Sequence, residues 1–150
     1  MTNSSFYNRA HWWTSVIVTL TMTIFGGVMR IIERSFNSAA YDNVQTFFKT
    51  SQPDYFPLLH LGITFIVVLA IVTLYRLVLT HLPMNWIIRG LLVGLFLFLI
   101  ADLPDAFTSY YMTVLSGSAV WGMTISAFAN KLINGLILTY TYKRLSPDIA

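Results

Sequence analysis

Long apolar blocks, not short alternating ones, set the pattern of this chain. The first block reaches from about Trp12 to Ile32. It carries Thr14, Thr19, Thr21 and Thr23, whose hydroxyls can return hydrogen bonds to their own helix. Trp12-Trp13, with Tyr7 and His11 beside them, stand at its edge in the manner of headgroup-belt aromatics. The block is longer than the roughly 7–15 apolar residues of a signal-peptide core, so it reads as an uncleaved span. Gly26-Gly27 near its end permit close packing or a bend.

Glu33 to Gln52 is the one sizeable polar stretch. Within it Tyr41, Val44, Phe47 and Phe48 recur at helical spacing, which predicts a short amphipathic helix on the membrane surface. A second span is expected over about Pro57 to Thr80. The short loop His81-Leu82-Pro83-Met84-Asn85 then forces an antiparallel return. The third block, Trp86 to about Asp102, is short for a span, roughly 25 Å at about 1.5 Å per residue. Leu103-Pro104-Asp105 punctuates the chain there, and residues Ala106 to Gly117 suit an interfacial helix or the first turns of the next one. A fourth span is expected from about Ser118 to Tyr142. The fold predicted is all-α: one membrane domain over residues 1–150, an antiparallel bundle of four transmembrane helices with a short interfacial amphipathic segment between the first two.

Composition agrees with a membrane setting. Hydrophobic residues make up 56% of the 150 and charged residues 10%, against about 25% charged in soluble domains. So little charge cannot clothe a globule in water. The absence of cysteine excludes disulfides, thiolate metal sites and cysteine nucleophiles. A net charge of +3 without a basic run gives no phosphate-tracking patch, so nucleic acid is not an expected partner.

Four spans would place both termini and the middle loop on one side, with Arg9, Arg76, Arg89, Lys143 and Arg144. Arg30, Arg34 and Lys49 would lie on the other side, with most of the acids. The positive-inside rule then predicts both termini in the cytoplasm of a multi-pass protein of the cell inner membrane.

Candidate chemistry concentrates in the last block. Ser118, Gly122, Ser126, Asn130 and Asn134 recur every four residues, and side chains at that spacing share a helix face. Such a small, polar face serves helix packing, or else lines a path for a solute. Lys131 is the most informative residue, because a charge that far from a helix end needs a partner or water. It is expected to face the bundle interior, paired with a carboxylate, carbonyls or tyrosine hydroxyls. Asp102 and Asp105 are the nearest acids in sequence, but counting turns puts them near the opposite surface, too high for contact. They bracket Leu103-Pro104, as a helix boundary with an N-cap would, or as a carboxylate pair for a cation or proton would. His60 is a possible third member. Arg30, Glu33 and Arg34 suit anchoring at the headgroups, and Gly90 and Gly94 make a small-xxx-small step for close helix packing.

No GxSxG, HExxH, Walker or dinucleotide signature is present. The three histidines are dispersed, so neither a metal site nor bis-histidine haem is expected, and no cofactor is predicted. Three functional classes remain, in order of preference. The first is a non-enzymatic accessory or assembly component of a membrane complex. The second is a small transporter or channel acting as an oligomer. The third is an intramembrane enzyme acting on lipid. The expected partners are the bilayer and either copies of itself or another membrane subunit.

Overall fold

A computed structural model describes residues 9–36, 54–112 and 116–146. They form five α-helices: α1 (Arg9–Phe36), α2 (Phe56–Val78), α3 (Trp86–Leu97), α4 (Leu103–Met112) and α5 (Gly117–Leu145). A 3₁₀ turn, Leu79–His81, ends α2, and a π-helical turn, Phe98–Asp102, joins α3 to α4. Local chemistry sets the starts. Pro57 sits in the first turn of α2, where its missing N–H costs nothing. Asn85 caps α3 by accepting from the Ile88 amide at 2.9 Å, and Ser116 caps α5 by accepting from the Ala119 amide at 3.3 Å. The amphipathic surface helix expected within Glu33–Gln52 falls largely on residues 37–53, outside the described residues.

Three helices, not four, are long and apolar enough to cross a membrane: Arg9–Ser35, Phe56–His81 and Trp86–Tyr111. The expectation of four spans is thereby corrected. The third span does not stop at Asp102 but runs on as a single 26-residue rod. Pro104 does not break it. A proline ring crowds the carbonyl four residues back and donates no hydrogen bond. Here the preceding turn widens, with the Leu103 amide bonding the Phe98 carbonyl, and the rod absorbs the proline as a π turn. The block expected as a fourth span is the 29-residue α5. It has the length but not the apolar density, because Asn130, Lys131 and Asn134 fall within one and a half turns and Thr124, Ser126 and Thr139 dilute the rest.

α5 packs most closely on α3 and next on α1, and α2 packs on α1. The chain is a multi-pass, all-helical membrane protein turned inside out relative to a soluble bundle. On α1 the buried face is His11, Thr14, Ser15, Val18 and Thr19, and the face turned outward carries Leu20, Ile24, Val28 and Ile31. Polar residues meet helices and apolar residues meet the surroundings, as lipid requires. An apolar cluster of Val18, Val68, Val72, Tyr75, Val93, Leu138 and Tyr142 ties the four long elements together towards one end.

Glycine sets the distance between α3 and α5. A methyl group placed on Gly94 would lie 2.6 Å from the Lys131 carbonyl oxygen and 2.7 Å from the Leu132 Cα. On Gly135 it would meet the Gly90 carbonyl oxygen and the Gly94 amide nitrogen. The small-xxx-small step Gly90/Gly94 thus receives Gly135 from the opposite helix, backbone against backbone.

Candidate functional site

Lys131 and Asp102 meet. The Lys131 Nζ lies 3.4 Å from the Asp102 Oδ2, with the two side chains 14% and 24% exposed. The sequence expectation that Asp102 stands too high is corrected by the direction of the side chains. Every side chain on a helix leans towards that helix's own N-terminus. α3 and α5 run antiparallel, so Asp102 leans back down its rod and Lys131 leans up α5. The separation between the two backbones is closed from both ends. Phe98, one turn before Asp102, and Phe128, one turn before Lys131, meet edge to face at 5.0 Å. The contact that carries the ion pair is otherwise aromatic, and a low-polarity wall strengthens the attraction between the charges.

On the side of α5 facing α1, Asn134 is buried, 2% exposed. Its Nδ2 donates to the Asn130 carbonyl oxygen at 2.8 Å and to the Asn130 Oδ1 at 2.6 Å. Its Oδ1 accepts from the Thr21 hydroxyl at 3.0 Å. The Asn130 amide in turn lies over Gly26, where an added methyl would stand 3.4 Å from the Asn130 Nδ2. An amide ladder thus joins α5 to the middle of α1, while the ion pair joins α5 to the third span. Lys131, Asn130 and Asn134 follow one another around a single helix, so one stretch of α5 is fastened on both flanks by polar contacts.

The other candidates stand apart. Asp105 is exposed on α4, and the carboxylate pair does not close into a site. His60 is exposed on α2, stacked on Phe56 at 6.3 Å between ring centroids. Among the described residues no group of three or more His, Cys, Asp or Glu side chains converges as a metal site would.

A second polar region went unread in the sequence. His11, assigned there to the headgroup belt, is fully buried, and its Nε2 lies 3.2 Å from the Thr73 hydroxyl of α2. Its signal was present: Thr14, Ser15 and Thr19 follow at three, four and eight residues and make one hydroxyl stripe. Aromatic neighbours drew the reading towards the interface instead.

The long elements gather Arg9, Arg76, Arg89, Lys143 and Arg144 at one end of the bundle: the start of α1, the end of α2, the start of α3 and the end of α5. The described acids, Glu33, Asp54, Asp102 and Asp105, all belong to the opposite half. No family model matches the chain, and no curated protein or solved structure is significantly similar to it.

Proposed function

We propose that this protein is a non-enzymatic accessory or assembly component of a membrane complex. One observation carries the reading: the polar side chains of α5 are engaged with neighbouring helices. Lys131 pairs with Asp102, and Asn130 and Asn134 are engaged with each other, with Thr21 and with the face of Gly26. Groups that would line a solute path instead lock three helices in register, and fixing register is the best-attested use of buried polar groups. The apolar outer faces of α1, α2 and α5 remain for lipid or for another membrane subunit.

The end bearing the five cations is assigned to the cytoplasm, on the positive-inside bias. This assignment rests on where the cations gather rather than on a count of spans.

A second reading, movement of a proton or cation through the ion pair, draws on one feature. The 3.4 Å contact is longer than a close charge-assisted hydrogen bond of about 2.7–2.9 Å, and it flanks a π turn, a distortion frequent at functional sites. Native mass spectrometry of the protein extracted from its own membrane in mild detergent separates the two. A constant co-purifying subunit is the expected result. A homo-oligomer that moves an ion or small solute in reconstituted vesicles, and stops when Asp102 is replaced by Asn, would overturn it in favour of transport.

A further inference from the structure

At the basic end the 3₁₀ turn, the following loop and the last turn of α5 enclose a cleft of about 120 Å³. That is room for a group the size of a phosphate. Arg89 and Lys143 reach it from different helices, and Tyr75, Tyr142, Asn85 and Trp86 complete its wall.

Its chemistry is that of donors without acceptors. Arg89 donates from Nη2 to the Leu82 carbonyl at 2.8 Å and its guanidinium faces the Tyr75 hydroxyl, while its buried Nε–H has no acceptor. The Tyr142 hydroxyl, on a side chain 2% exposed, makes no hydrogen bond of good geometry. Asn85 uses its carbonyl oxygen as the α3 cap and keeps its amide NH₂ as a donor. The first amides of α3 add the positive end of a helix dipole. Among the described residues no carboxylate stands at this end; Asp148 lies outside them. Trp86 packs on Tyr140 at 5.5 Å, and the Arg144 guanidinium lies over the same Tyr140 ring at 5.4 Å. The flank of the cleft is therefore aromatic, the surface that a lipid's glycerol and upper chain would meet.

We propose that this cleft binds the phosphate of an anionic phospholipid. A lipid is favoured over a free phosphate because the donors sit where two membrane-spanning helices end, beside a tryptophan–tyrosine flank suited to the interface. Basic pockets between helices on the cytoplasmic side are the established form of such recognition.

The test uses the whole protein in a maltoside detergent, titrated with phosphatidylglycerol, phosphatidylcholine or inorganic phosphate. Retained adducts are read by native mass spectrometry and Tm by tryptophan fluorescence. Phosphatidylglycerol is expected to stay bound under activation that strips phosphatidylcholine, and to raise Tm. Arg89→Gln and Lys143→Gln are each expected to weaken it about tenfold, the worth of one charge-assisted hydrogen bond. Arg34→Gln, at the far end, is expected to leave it unchanged. Because Arg89 also holds Leu82, the exposed Lys143 is the variant that keeps the fold intact. Equal retention of both lipids, wild-type retention by K143Q, or an equal loss in R34Q would overturn the site. Stabilisation by inorganic phosphate matching that by lipid would overturn the lipid as its occupant.

Discussion

Substituting Gly94 by Ala tests the contact on which the rest of the bundle depends. The added methyl would stand 2.6 Å from the Lys131 carbonyl oxygen and 2.7 Å from the Leu132 Cα. Both are backbone atoms, so no side chain can swing aside. Ordinary contact begins near 3.4 Å, so the two helices must part by roughly 0.8 Å, a gap that forfeits about a quarter to a half of each neighbouring dispersion contact. Overpacking of this kind costs about 1–3 kcal/mol. The helical preference of Ala over Gly works the other way, by up to about 1 kcal/mol. Gly27→Ala and Gly62→Ala measure that gain in the same fold, since nothing lies within 4 Å of a methyl at either position. Gly135→Ala should be at least as damaging as Gly94→Ala, because its methyl meets the backbone of Gly90 and Gly94. Gly90→Ala should be milder, because the nearest backbone atom to its methyl, the Leu136 Cα, stands at 2.9 Å, farther than the backbone atoms that face Gly94, and its closest neighbour, at 2.7 Å, is a side-chain tip, the Thr139 hydroxyl. Unfolding by SDS titration in mixed micelles, followed by tryptophan fluorescence, gives the order. If Gly94→Ala were as stable as Gly27→Ala, the glycine seam would not set the distance between α3 and α5.

Three further outcomes follow from the polar contacts and the charge distribution. Lys131→Met should destabilise the protein by about 1–3 kcal/mol by leaving a partly buried carboxylate without its partner, and adding Asp102→Asn should restore most of the loss; strictly additive effects in that cycle would mean the 3.4 Å pair contributes no coupling. A second cycle, Thr21→Val with Asn134→Leu, should show a coupling of about 0.6–2 kcal/mol, and a value near zero would remove the amide ladder as a fastening between α1 and α5. The chain contains no cysteine, so single cysteines report sidedness directly: an impermeant maleimide should label Asp54→Cys in intact cells and His81→Cys only after permeabilisation, and the reverse result would invert the orientation assigned above.

The helices were legible in the sequence because apolar blocks bounded by Asn85, Ser116 and Pro57 carry their own start signals. The glycine step was legible as well, though its partner was not, since nothing in the spacing of Gly90 and Gly94 points to Gly135. What failed was the treatment of Pro104 and of depth. Leu103-Pro104-Asp105 looks like a stop, because proline ends most helices. A wider turn before it is the alternative, and local sequence does not choose between the two. Here the choice follows tertiary packing: Phe98 is held against Phe128, and Asp102 is held by Lys131, on either side of the same turn.

Depth failed for a related reason. Counting turns from the helix ends places α-carbons, whereas the charges sit at the tips of side chains that lean towards each helix's N-terminus. In an antiparallel pair the error has a sign. A residue late in the first helix and one midway along the second are drawn together if the first stands nearer its own C-terminal end than the second's level, and drawn apart in the opposite arrangement. Asp102 and Lys131 fall in the first arrangement, and a long lysine stem on one helix with a short carboxylate on the other is the combination that closes the gap. Exchanging them tests this directly. Lys131→Asp with Asp102→Lys keeps both the charges and the antiparallel lean, so the long stem then descends from the third span to a short carboxylate on α5. The exchanged pair should recover most of the stability lost by either single variant in the same SDS titration. Failure to recover, with both single variants folded, would mean that the pair depends on the local geometry of the π turn and not on the lean of the side chains.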